Sequence, residues 1–385
     1  MLNKPHLIQT IVTLIIICLY TFTAALNVNN SFIIIVATLY IVSIYKHSFC
    51  VTKNYLLFIL LLVMLSGFSF LFGTESALKY MEYCMFIGFF LACNFLCINY
   101  MALFKSAIAL GLILTPLLYL RGLSLSINIG TSDMNSGTMM GLTYAILPLL
   151  LLCISSLFVK MERWWKIFAV IEIIILFAAI MLIGSRGIFV ALSIYALFLV
   201  ICLVKNKQSS RLRYILISGF VVVGISQYSY EILKWLTNAT QSLGLEIYAL
   251  NKMNAYYTLD NLDNGRLEIW DACVNGFFSS PIGHLVGSFE DTFKVHQHNL
   301  ILQTMWEFGF IGILFLLIYF PRSFKILIDE EIPKPLFLVL LTIFCSSIVL
   351  LFYSSSFWLL PNFWLWTKIV FNYKKMKYDE ESVVI

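Results

Sequence analysis

The sequence of 385 residues reads as all-α: a polytopic membrane helical bundle of about 12 transmembrane helices, with one long outer-face loop between the ninth and tenth. Three observations lead there. Residues of the set AVILMFWYC make up 61% of the chain and Asp, Glu, Lys and Arg only 12%, against about 25% charged residues in a soluble domain. So little charge cannot cover a water-facing surface. Apolar stretches approaching the ~20 residues that cross a bilayer recur along the chain. The basic residues alternate between connections, as the positive-inside rule requires.

The apolar stretches run at 7–26, 31–45, 55–73, 81–98, 106–120, 137–159, 167–183, 188–204, 214–228, 300–320, 335–353 and 354–371. The first, preceded by Lys4 and ending in Ala24-Ala25, has features of a secretory signal; its length and the stretches behind it favour a retained helix. Three stretches are short, and only Tyr353-Ser354-Ser355-Ser356 separates the last pair, so ten or eleven spans are also open. With the N-terminus inside, 18 of the 25 basic residues fall on the cytoplasmic side, among them Lys46, Lys160, Arg211 and Lys368. Seven fall opposite, four of them in the long loop, where the rule has little force. Both termini are then cytoplasmic, and residues 1–385 form a single integral membrane domain without internal repeats.

The net charge of +5 is too small and too dispersed for a nucleic-acid face. Of nine cysteines, eight lie in or beside apolar stretches and only Cys273 sits in the polar loop. No C-x-x-C pair offers metal or redox chemistry, so they read as small buried apolar residues.

The long loop, 229–299, exceeds ordinary connections and is not of low complexity. It holds an amphipathic run, 266–278, with Leu267, Trp270, Val274 and Phe277 at helical spacing, closed by a Ser-Pro-Ile-Gly turn at 280–283. Such a helix can lie in the membrane interface, apolar face down.

On the outer side of a membrane there is no nucleoside triphosphate, so an enzyme there needs an activated, lipid-tethered donor with an anionic leaving group. Three features suit it. Arg186, in Gly184-Ser185-Arg186-Gly187 at the outer junction of the seventh and eighth stretches, can fork onto phosphate oxygens beside a helix N-terminus; the other reading is a snorkelling arginine marking the helix end. Arg266 heads the amphipathic run, but Asp260, Asp263, Glu268 and Asp271 surround it, so a surface ion pair is the favoured reading of that residue taken alone. His296-Gln297-His298-Asn299 precedes the tenth stretch, and a histidine there can deprotonate a sugar hydroxyl. A zinc site with His284 or Asp291 lacks supporting spacing. Within the membrane, Glu172 is a mid-helix acid; pairing with Lys166 or headgroup solvation is the favoured reading, against a functional carboxylate. Glu307, early in the tenth stretch, is placed to orient a neighbouring histidine or arginine. Tyr256, Tyr257 and Trp306 suit either sugar stacking or an interfacial belt.

The order Leu182-Ile183-Gly184-Ser185-Arg186-Gly187, then Gly265-Arg266 with Trp270 in a long loop, then His298-Asn299-Leu300 with Gln303, Glu307, Gly309 and Gly312, resembles the O-antigen ligase/polymerase family over about residues 170–320. The resemblance implies a glycosyltransferase of the bacterial cytoplasmic (inner) membrane that moves a glycan from undecaprenyl pyrophosphate to an acceptor hydroxyl on the outer face, without cofactor or metal. It implies that Arg186 and Arg266 hold the pyrophosphate and His298 activates the acceptor, with His296, Asn299 and Glu307 contributing to substrate binding. The partners implied are lipid-linked glycans, membrane lipid, a flippase and chain-length regulator proteins. The expected function is polymerisation of lipid-linked repeat units; the alternative is ligation to the lipid A core, and a flippase or secondary transporter is the less favoured class.

Overall fold

The computed structural model describes residues 4–26, 38–39, 51–94, 96–127, 136–183, 186–204, 229–242, 251, 266–373, 377–378 and 383–384. The larger helices in chain order are α1 (Lys4–Ile17), α2 (Leu19–Leu26), α3 (Lys53–Leu71), α4 (Glu75–Cys93), α5 (Tyr100–Ile127), α6 (Ser136–Leu157), α7 (Arg163–Ile183), α8 (Arg186–Val204) and α9 (Ser229–Ser242). They continue with α10 (Arg266–Ser279), α11 (Ser288–Phe293), α12 (Leu300–Ile328), α13 (Lys334–Phe344) and α14 (Pro361–Asn372). Three two-residue strands, β1 (Cys97–Ile98), β2 (Lys377–Tyr378) and β3 (Val383–Val384), pair antiparallel in the order β1-β3-β2. The expected all-α class stands.

The expected 12 spans are not reached among the described residues. Among the described residues five helices are long and apolar enough to cross a membrane, α3, α4, α5, α7 and α12, or six if the broken pair α1–α2 is one span. The stretch 214–228 lies outside the described residues, as does 31–45 apart from positions 38–39. The stretch at 354–371 yields only α14, whose 12 residues rise about 18 Å, short of the ~30 Å hydrocarbon core. Its residues Pro361–Val370 are all buried. Protein, not lipid, surrounds this helix, which carries Asn362, Thr367 and Lys368 among its apolar residues. Lys368, expected at the cytoplasmic side, is one of these buried residues and donates to the Asn94 carbonyl.

The chain forms two compact units. The first comprises 1–19, 28–106 and 265–385. At its centre, α14 packs against α1, α3, α4, α12 and α13. Polar tips in this core find partners: Tyr55 donates to the Trp364 carbonyl at 3.1 Å, Trp366 Nε1 to Ser323 Oγ at 3.1 Å, and Tyr319 bonds Thr367 at 3.0 Å. The opposite faces of α3 and α12 carry exposed Leu57, Leu61, Met64, Ile311 and Leu317, surface that hydrocarbon solvates and water does not. The described helices thus make a multi-pass membrane protein.

The second unit comprises 20–27 and 107–264. Helices α6 and α7 form an antiparallel pair, and α8 joins α6 through Ser155 Oγ and Tyr195 OH at 2.6 Å. Arg121 donates to the Ala24 carbonyl near the end of α2. Glu172 does not pair with Lys166, whose ammonium goes to the Leu157 carbonyl at 3.2 Å. The carboxylate is buried, accepts from Cys153 Sγ at 3.1 Å, and lies against Gly111, where a Cβ would stand 2.0 Å from Oε2.

Candidate functional site

The expected amphipathic run is helical, as α10, but a different face packs. Ile269, Ala272 and Cys273 join Phe289, Trp306 and Leu302 in one apolar cluster. Gly276 sits against the Trp306 ring, with room for no Cβ. The stripe Leu267–Trp270–Val274–Phe277 is left outside this contact, with Leu267, Phe278 and the following Ile282 exposed. Small residues on the packing face let α10 approach the large indole, so the side that meets the protein is not the apolar stripe expected to face the membrane interface.

Trp306 is the hub. His284 stacks on it at 4.0 Å between centroids, Phe289 meets it edge-on at 5.0 Å, and its Nε1 donates to Ser288 Oγ at 2.9 Å. With its faces so occupied, Trp306 offers no platform to a sugar; Tyr256 and Tyr257 lie outside the described residues.

The turn after α10 docks into a break in α12. Gly309 has φ 57° and ψ −137° in mid-helix, a region only glycine enters readily. The break frees two backbone groups: the Trp306 carbonyl accepts from His284 N at 2.7 Å, and Phe310 N donates to the Pro281 carbonyl at 2.8 Å. Asn299 starts α12 as its cap, its Oδ1 accepting from Ile301 N at 2.9 Å and Leu302 N at 3.3 Å. That helix-capping role accounts for its carbonyl oxygen.

Between these anchors runs the histidine segment. The short α11 lies between left-handed Gly287 (φ 76°) and Lys294 (φ 60°), and His298 is itself left-handed at φ 53°. For a residue with a Cβ this costs about 1–2 kcal/mol, strain that packed functional sites retain. His298 Nδ1 is shielded and without a hydrogen-bond partner among the described residues. Burial lowers the His298 pKa to about 4, helped by the nearby Arg266 guanidinium and then by His296. Arg266 and both histidines are therefore brought together. His296 bonds through Nδ1 to Glu290 Oε1 at 2.8 Å, and the two imidazoles stand 6.2 Å apart, near perpendicular.

Glu307 does not orient a histidine. Its carboxylate accepts from Trp358 Nε1 at 2.8 Å and from Gln303 Nε2 at 3.2 Å, and Gln303 also reaches Ser356 and Phe357. It ties α12 to the segment ahead of α14. The carboxylate that holds a histidine is Glu290, six residues before His296 and on no periodic pattern with it. Among the described residues no three His, Cys, Asp or Glu side chains converge as metal ligands; Asp291 is engaged by Ser76 at 2.6 Å.

Arg186 opens α8 in the second unit, while its side chain, with Gly184 and Ser185, lies outside the described residues. An apolar cleft of about 160 Å³ lies between α3 and α12, lined by Phe58, Leu62, Leu300, Phe308, Ile311 and Phe363 among others. It has the lining to hold hydrocarbon and none to perform chemistry.

Residues 171–317 match a family model described as O-antigen ligase. The match opens within α7 and closes within α12, so it contains Arg186, Arg266, His296, His298, Asn299 and Glu307. No curated protein and no solved structure matches the chain.

Proposed function

We propose, from the premise that residues 171–317 are an O-antigen ligase/polymerase family region, that this chain is a membrane glycosyltransferase polymerising undecaprenyl-pyrophosphate-linked oligosaccharide repeat units. It acts on the outer face of the bacterial inner membrane, both termini cytoplasmic, passing the growing glycan to the next lipid-linked repeat. The observation that carries this reading is the placement of Arg266 beside His298 within the matched region. An always-charged guanidinium and an imidazole that stays neutral suit a reaction that creates an anion while removing a proton.

In the proposed step the acceptor hydroxyl oxygen forms a bond to the anomeric carbon of the donor. The bond from that carbon to phosphate oxygen breaks, and its electron pair leaves with the pyrophosphate. Arg266 and Arg186 neutralise the departing charge, while His298 takes the hydroxyl proton through Nε2, the nitrogen that is not shielded. Two guanidinium groups supply the electrostatic stabilisation, so the proposal needs no metal. Exposed Leu267, Phe278 and Ile282 would seat this region in the membrane interface. A flippase and a chain-length regulator are the proposed protein partners.

Ligation to the lipid A core is the second reading, favoured by the description of the matching family itself. Residues 1–170 fall outside the match, and our preference for polymerisation rests on that divergence. Deleting the gene separates the readings. Lipopolysaccharide capped with a single repeat indicates a lost polymerase; long polymer stranded on the carrier lipid indicates a lost ligase. Normal surface polysaccharide would overturn both.

A further inference from the structure

Glu290 is a buried carboxylate that the step above does not use. One oxygen holds His296 Nδ1 at 2.8 Å, the other is shielded, and the Tyr80 hydroxyl stands near the carboxylate. The groups facing it from neighbouring elements are Tyr80 of α4, Cys273 of α10 and Glu307 of α12, none of them cationic. His298, 6.2 Å from His296 between centroids, faces Arg266 instead. The two imidazoles therefore sit in opposite fields: a proton on His298 lies beside a guanidinium, and a proton on His296 lies beside a carboxylate. The His296 side chain is 36% exposed, which gives it a route to water.

We propose that the Glu290–His296 pair is a proton relay behind His298, with Glu290 the positioning residue that fixes the His296 tautomer. The inference rests on the glycosyltransferase reading. Glu290 holds the Nδ1–H of His296, which leaves Nε2 with its lone pair, the arrangement by which a carboxylate prepares a histidine to accept a proton. The proton that leaves the acceptor hydroxyl passes to His298 Nε2, then across one bridging water to His296 Nε2, and from there to bulk water. His298 is returned to its neutral form, and the electron pair of the broken glycosyl–phosphate bond has left with the pyrophosphate. Without the relay, each turnover waits for a proton to escape from beside Arg266.

The test uses the purified full-length protein in lipid nanodiscs with undecaprenyl-pyrophosphate-linked oligosaccharide isolated from host membranes, following chain elongation with and without added imidazole. His296→Ala is expected to lower kcat about tenfold or more with KM unchanged, and added imidazole is expected to restore the rate by accepting the proton. Glu290→Gln, which keeps size and folding contacts, is expected to lower kcat in the same direction and to shift the pH–rate profile. His298→Ala is expected to stay inactive in imidazole. Wild-type rates in both relay variants, or a loss in folded protein that imidazole does not restore, would overturn the relay alone. A wild-type protein that elongates nothing overturns the functional reading and the relay with it.

Discussion

At the scale of single residues, His298 carries the sharpest pH consequence. Its pKa falls from 6.5 unfolded to about 4 folded, chiefly through burial. The unfolded chain therefore binds the proton more readily, and stability must fall as pH drops from about 6.5 to about 4. The full loss is roughly 3 kcal/mol, the shift converted to energy; at pH 7 and above nothing is lost. Thermal melts in detergent between pH 7 and pH 4.5 should show the wild type losing stability faster than His298→Gln, and parallel curves would refute that burial. Glu290 shows why part of this site was not legible. It meets His296 six positions on, around the left-handed Lys294, a separation with no helical or strand periodicity. Glu307 and Trp358, 51 residues apart, are similarly beyond local pattern. Arg266 and His298 could be read because arginine and histidine are scarce and chemically distinctive in an apolar chain.

Among the elements, the break in α12 is the most testable. A Cβ at Gly309 would lie 2.2 Å from the Pro281 carbonyl oxygen, at φ 57°. Gly309→Ala should therefore cost about 3 kcal/mol or more through backbone strain and overpacking, read as a lowered melting midpoint. Gly141→Ala, in a helix with nothing within 4 Å, should change stability by no more than about 1 kcal/mol, in the stabilising direction. Equal midpoints for the two variants would mean the turn at 280–283 is not lodged in the helix. The sequence showed α10 through its repeat from Arg266 to Phe278, but not its buried face. That face is set by Trp306 of another element meeting Gly276 and Cys273, and a single helix's hydrophobicity does not report which neighbour arrives.

Over the whole molecule, apolar character was legible and its use was not. The stretch 354–371 reads as a span in the sequence, yet its residues Pro361–Val370 are enclosed by protein, and no composition count separates lipid from protein as the apolar surroundings. Exposed Leu57, Met64, Leu71 and Ile311 nevertheless require hydrocarbon. Alkaline carbonate should leave the chain in the membrane pellet, and its release into the supernatant would contradict the lipid-facing assignment of α3 and α12. The join between the 280–284 turn and α12 has a further consequence. Both of its bonds run from main chain to main chain, Pro281 with Phe310 and His284 with Trp306. Pro281 and Ile282 can drift without touching them, whereas Gly283, at φ 102°, has no room for a Cβ and His284 stacks on Trp306, and removing one residue between Pro281 and His284 would break the spacing that lets both bonds form at once. Along this part of the chain, heredity must preserve a count of residues as well as the spelling at Gly283 and His284.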